Sequence, residues 1–205
     1  MSDAGIPSIG PVAPSQMIEV WGEALERKDP GTWSHCQRVA VFAKILAQAL
    51  GLEKKDIRVI TDGALLHEIG KLAIPEAILR KPAKLTTEEM LVMRESSSRG
   101  YEMLRNVPSF AEAAEIVHAH RESFDGTGYP RGLKGEGILL GARIVGVADV
   151  VDLLINDRPH DGARALAAAR TGILRWSGNQ FDPHVIEVFL SVRDDTIAEG
   201  MFSAR

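Results

Sequence analysis

The sequence predicts an all-α fold. From Gln16 onward apolar residues recur at helical spacing nearly throughout, and no stretch alternates apolar and polar residues long enough to demand a strand. The breaks between periodic segments carry glycine, proline or capping residues. The segment WSHCQRVAVFAKILAQALG puts Val39, Phe42, Ala43, Leu46, Ala49 and Leu50 on one face and stops at Gly51. A second helix is expected from about Lys54 to Ile69, closing at Gly70. A third begins at Thr86, after Pro82, where Thr86 and Glu89 have capping-box spacing. Further helices are expected at 109–121, 140–155, 161–177 and 183–191, the last with Asp182 as N-cap and Pro183 at its first position. The sum is a bundle of about seven helices over residues 16–191. Residues 1–15, rich in Pro, Gly and Ser, read as a flexible leader, and 192–205 as a polar tail.

Composition narrows the function classes. A chain of 205 residues with 45% hydrophobic and 25% charged content suits one soluble domain that needs no metal or disulfide staple to fold. Twenty-four basic against 28 acidic residues give a net charge of −4, without the basic excess of a nucleic-acid binder or a polybasic run for an anionic membrane. Cys36 is the sole cysteine, which excludes an internal disulfide and a cysteine zinc cage. No secretory signal opens the chain, so a cytoplasmic location is expected. The apolar run GILLGARIVGVADVVDLLI is interrupted by Arg143, Asp149 and Asp152 and reads as a buried helix rather than a membrane span.

Four segments could carry chemistry. In LLHEIGK, Lys71 stands where the zinc-protease pattern HExxH needs its second histidine, so that reading fails. His67 and Glu68 point about 100° apart on a helix, yet can converge on a pair of metals if the carboxylate bridges. Lys71, four residues after His67, shares its face and could meet a phosphate oxygen. The stretch HRESFDGTGYPRGL runs from a helix into a loop stiffened by Pro130 and opened by Gly126, Gly128 and Gly132. Asp149 in an apolar helix needs a cation, a metal or donors, Arg143 being one ordinary partner. His35 lies near the start of a long amphipathic helix. Taken singly, each has a bland explanation: a satisfied histidine, a solvated lysine, a plain turn. His118 sits some 200° round the helix from His120 and cannot share its site. Cys36 reads as a small buried thiol with His35 pointing away, and His160 and His184 have no identifiable partner.

Taken in order, KDPGTWSHCQRV, LLHEIGKLAIPEAILRKPAKLTTEE, SSSRGYEML, HRESFDGTGYPRGLKGEGI, ARIVGVADVVD, NDRP and FDP resemble the HD-GYP family of metal-dependent cyclic-dinucleotide phosphodiesterases over roughly residues 19–190. The resemblance implies a helical HD-domain bundle with a GYP loop, holding two or three iron or manganese ions. In that family a bridging hydroxide attacks the phosphorus of cyclic di-GMP in line with the departing 3′ oxygen. The chemistry demands such ions, because an anionic diester must be neutralised and hydroxide supplied near neutral pH. Histidine and carboxylate ligands suit these metals.

By this resemblance the metal ligands are His35, His67, Glu68, His120 and Asp149, with Glu68 and Lys71 in catalytic roles. Arg158, Arg121, Gly126 and Tyr129 fall at substrate positions, and Gly126, Gly128, Tyr129 and Pro130 reproduce the signature loop. Gly31 replaces the glutamate of three-metal members, so a third ion is not expected. Three departures fall on ligands. Glu68 replaces an aspartate and is longer by about 1.5 Å. Ser96 replaces a histidine, and Arg121, a permanent cation, replaces another. Asp161 stands where many members carry a basic residue. His35, His67 and Asp149 belong to one metal position, with Glu68 shared; Ser96, His120 and Arg121 belong to the other. The expectation is therefore one iron or manganese ion rather than two, or none, in a domain of cyclic di-GMP signalling with an eroded second subsite. Such a domain is a catalytically weak or silent binding module, which could dock a diguanylate-cyclase domain or other signalling protein through the GYP loop. The alternative is an active phosphodiesterase using one or two metals, with Arg121 as a fixed charge on the phosphate. A simple HD phosphohydrolase acting on nucleotides is a third reading, against which the GYP loop counts.

Overall fold

Ten α-helices joined by short turns make up the described residues, 12–156 and 162–197, of the computed structural model. They are α1 (Pro14–Lys28), α2 (Thr32–Ala49), α3 (Lys54–Leu66), α4 (Glu76–Leu79), α5 (Thr87–Arg94), α6 (Ser96–Leu104), α7 (Ala111–Ala119), α8 (Leu140–Asn156), α9 (Gly162–Leu174) and α10 (Pro183–Ser191). The all-α expectation holds: among the described residues extended pairing is limited to one isolated bridge, Ser177 with Phe181. No helix among them is long and apolar enough to cross a membrane. Arg158, His160 and Asp161 lie outside the described residues.

The helix count exceeds the expected seven for local reasons. Pro14 starts α1 because its fixed φ suits a first helical position, so helix begins inside the segment assigned to the leader. The segment from Thr86 divides at Glu95, and α4 is a single turn. At α5 the capping box is realised: Thr86 Oγ1 accepts from the Glu89 N–H at 3.2 Å while Glu89 Oε2 accepts from the Thr86 N–H at 2.8 Å. Asp182 caps α10 by accepting from the His184 N–H at 2.8 Å. The helix expected to reach Ile69 stops at Leu66 and tightens into a 3-10 turn over Ile69–Ala73. The polar tail is also corrected, since residues 194–197 are helical and Ile197 is buried in the core.

The main core is formed by α2, α3 and α8 with α9 and α10 against them, around Phe42, Leu46, Ile144, Val147, Val151 and Phe189. Val39, Phe42, Ala43 and Leu46 are buried as expected, whereas Ala49 is exposed and Leu50 half-buried where α2 outruns the core. A second cluster gathers Ile18, Leu66, Ile69, Leu104, Phe110 and Val117. Leu66 and Ile69 thus anchor both sides of His67-Glu68. Gly70 fixes the next contact: a Cβ there would lie 1.8 Å from the Ser96 carbonyl oxygen, so only glycine lets α6 settle on this turn.

Candidate metal and phosphate site

Four chain segments bring their polar residues to one place. His35 and Arg38 come from one face of α2, and Asp149 and Asp152 from one face of α8. His67, Glu68 and Lys71 come from the end of α3 and its following turn, and His120 and Arg121 from the end of α7. The His35 and His67 rings lie 5.2 Å apart, as do those of His67 and His120, forming a row.

Hydrogen bonds to the outer nitrogens aim this row. His67 Nδ1 meets the Ala64 carbonyl at 2.7 Å and His120 Nδ1 the Val117 carbonyl at 2.8 Å. A carbonyl can only accept, so each Nδ1 is the donor and each Nε2 faces inward. Both Nε2 atoms and Asp149 Oδ1 are buried without a hydrogen-bond partner among the described residues. His35 Nδ1 bonds Asp152 Oδ2 at 2.7 Å, and Asp152 is clamped by Arg38 at 2.8 and 3.0 Å. That leaves His35 Nε2 facing Asp149 Oδ1 at 3.0 Å, without hydrogen-bond alignment. Two such atoms at this separation need a proton or a metal between them. Ligand atoms of His35, His67 and Glu68 lie within 4.8 Å of one another. With Asp149 they form a donor set of two imidazoles and two carboxylates that fits a divalent transition metal.

The other half of the site is different. Arg121 Nη2 reaches Glu68 Oε1 at 2.8 Å and its Nη1 reaches Asp149 Oδ2 at 3.0 Å, so one guanidinium spans both carboxylates. On this side His120 has Glu68, already bonded to Arg121, and the guanidinium itself beside it, a set with too few donors to fit an ion of its own. Lys71 Nζ lies 3.0 Å from Asp29 and 3.5 Å from Glu68, which commits it to carboxylates. Asp149 does not pair with Arg143, which binds the α10 cap Asp182 instead.

The charges have consequences for protonation. Burial alone would raise the Glu68 pKa, but Lys71, Arg121 and His67 hold it down to about 2. Asp149 likewise stays well below the usual carboxylate range against burial, through Arg121 and the neighbouring imidazoles of His35 and His67. Burial and the neighbouring Arg121 push His120 down to about 3, so its imidazole is neutral and its Nε2 lone pair free to ligate. His35 is raised despite burial, by Asp149 and Asp152. A divalent ion must displace that proton.

The glycine loop closes on this cluster. Glu122 is buried and accepts from the N–H groups of Arg131 at 2.7 Å and Leu133 at 3.1 Å. The Tyr129 N–H donates to the Arg121 carbonyl at 3.2 Å, and a Cβ on Gly128 would lie 2.1 Å from the Ser123 nitrogen. Tyr129 is therefore held beside Arg121, whereas Gly126 turns the loop at φ +89° and faces Lys134. His118 is separate, as expected: it stacks on Tyr101 with centroids 4.4 Å apart. His184 is exposed on α10, 4.0 Å from Glu187. Cys36 is fully buried, as expected, with His67 among its neighbours. Sequence reasoning missed Asp152, Arg38, Asp29 and Glu122. The pairs His35/Arg38 and Asp149/Asp152, each three apart and so on one helical face, were the available signal.

A family model described as the HD domain matches residues 19–185. The chain belongs to the HD-domain family. The HD-GYP resemblance read from its motifs is borne out by curated relatives. The cyclic di-GMP phosphodiesterase response regulator RpfG of Xanthomonas campestris is 41% identical over 172 residues, 83% of this HD-domain chain and 46% of that protein. A cyclic di-GMP phosphodiesterase of Thermotoga maritima is 35% identical over 88% of this chain and 50% of its own length. The 3′3′-cGAMP-specific phosphodiesterase 2 of Vibrio cholerae is 34% identical over 89% of this chain and 35% of its own. The HD-domain chain thus spans half or less of these relatives. Two solved structures share its fold. The Listeria monocytogenes phosphodiesterase PgpH HD domain in complex with cyclic-di-AMP superposes with a TM-score of 0.64 at 15% identity, covering 90% of this chain and 96% of that one. A cyclic GMP-AMP-specific phosphodiesterase of V. cholerae gives 0.64 at 22% identity, covering 91% and 53%.

Proposed function

We propose that this HD domain recognises a cyclic dinucleotide of the cyclic di-GMP class and holds one iron or manganese ion at His35, His67, Glu68 and Asp149. In this reading it is a catalytically weak or silent binding module. The observation that carries it is the Arg121 guanidinium spanning Glu68 and Asp149. Bound at the first position, a divalent ion would supply Lewis-acid polarisation of a phosphate oxygen and a source of hydroxide. The chain's own residues do the rest. Arg121 offers a phosphate a planar, permanent cation, which stabilises anionic charge but generates no hydroxide. Asp152 fixes His35, and Glu122 fixes the loop that carries Tyr129 over the site. Arg158 is assigned to substrate phosphate on its motif position alone. The same loop is the surface offered to a diguanylate-cyclase domain.

The second reading, an active phosphodiesterase, is favoured by the intact donor set of the first position and by the activities named for the relatives. Metal content, cyclic di-GMP binding and turnover of manganese- or iron-loaded protein decide between the two. About one ion per chain, binding, and turnover no faster than in His67→Ala support the silent module. Turnover clearly above that variant makes the domain an enzyme, and no binding at all removes both readings.

A further inference from the structure

Arg94 ends α5 at the rim of the site, and its guanidinium carbon lies 5.2 Å from the centroid of the Tyr129 ring. The side chain is exposed, and among the described residues it has no carboxylate partner. The acids nearest in sequence are engaged elsewhere: Glu95 pairs with Arg99 and Glu89 with Lys81. By contrast Arg38, Arg121 and Arg143 are all committed to carboxylates. Arg94 is thus a free cation held in place by an aromatic ring, and that ring belongs to the loop over the metal site.

The geometry restricts what Arg94 can bind. A guanidinium over a tyrosine face keeps the N–H donors of its edges, which suit the paired oxygens of a phosphate. Tyr129 ties it to the site, because the Tyr129 N–H rests on the Arg121 carbonyl at 3.2 Å. A cyclic dinucleotide carries two phosphodiester anions, and Arg121 addresses one beside the metal position.

We infer that Arg94, held over Tyr129, is a recognition residue for the second phosphate of a cyclic dinucleotide. The inference rests on the cyclic-dinucleotide reading above. It separates ligands with two phosphodiesters from those with one. A role in compensating the dipole of α5 would need only a positive charge, which lysine supplies equally well. Stacking with a bidentate phosphate contact needs arginine.

The test compares wild type, Arg94→Ala and Arg94→Lys by calorimetry with cyclic di-GMP, and with bis(p-nitrophenyl) phosphate as a single-diester probe. Metal content and thermal melting are measured alongside. The expected result is a loss of cyclic di-GMP affinity on the order of 10-fold or more in Arg94→Ala, with little recovery in Arg94→Lys. Binding of the single diester, metal content and melting stay unchanged. Wild-type affinity in Arg94→Ala, full recovery with lysine, or an equal loss for the single diester each overturns the assignment while leaving the parent reading in place. Wild-type protein that binds no cyclic di-GMP overturns both.

Discussion

The two halves of the site share a scaffold and differ in what balances its carboxylates. On the His35 side, His67 Nε2 and Asp149 Oδ1 are buried without a hydrogen-bond partner among the described residues, and His35 Nε2 faces that Asp149 oxygen at 3.0 Å. On the His120 side, the equivalent charge is supplied permanently by Arg121, bonded to Glu68 and Asp149. A guanidinium and a metal ion both neutralise two carboxylates, but only the metal acidifies water. Electrostatic stability and catalytic power are therefore separable here. The sequence marked Arg121 as a permanent cation; the structure adds that it bonds both Glu68 and Asp149.

The strongest way to break the comparison is Asp149→Ala, which removes a carboxylate that faces His35 on one side and Arg121 on the other. It leaves Arg121 short of one partner and His35 facing no acid on its inner side. Removing one member of a buried pair costs about 3–5 kcal/mol, and Arg121 is partly exposed, so a loss toward the lower end is expected in urea unfolding. Metal binding should vanish with it. An unchanged midpoint would mean that the Arg121 pairing contributes nothing to the fold. The double change Ser96→His with Arg121→His should convert one half into the other. Metal content rises from about one ion per chain toward two, and cyclic di-GMP turnover increases on the order of 10²-fold. If neither changes, the missing ligands are not what distinguishes the halves. The mildest change, Asp152→Asn, sharpens the comparison by loosening only the His35 side. It weakens the clamp from Arg38 and the hydrogen bond to His35 Nδ1. Metal affinity should fall about 10–100-fold, with a smaller stability loss than in Asp149→Ala because asparagine keeps the side chain and one accepting oxygen, as read by metal titration and thermal melting.

Much of this could be read before folding wherever the signal was local. Thr86 with Glu89 and Asp182 with Pro183 announced their helices because cap and partner lie within a turn. The break at Glu95 gave no such signal: its backbone stays near helical, at φ −66° and ψ −13°, and no glycine or proline marks it. The donors of the first metal position were legible from motifs, but the groups that aim them were not. Asp152 and His35 are 117 residues apart in the chain, and Asp152 and Arg38 114. Glu122 read as part of a motif string, while its work, holding Arg131 and Leu133, is a matter of backbone groups nine and eleven residues on.

The contact between Gly70 and Ser96 bears on how such a domain can change over generations. The helix bearing Ser96 is seated on Gly70 by backbone atoms, the Ser96 carbonyl against the bare glycine Cα. The side chain at 96 takes no part in that seating, so replacing it leaves the helix where it is. Substitution at 96 is then expected to cost the fold little, whereas any Cβ at Gly70 must displace α6. The backbone seat thus separates what can stand on the helix from what holds the helix in place.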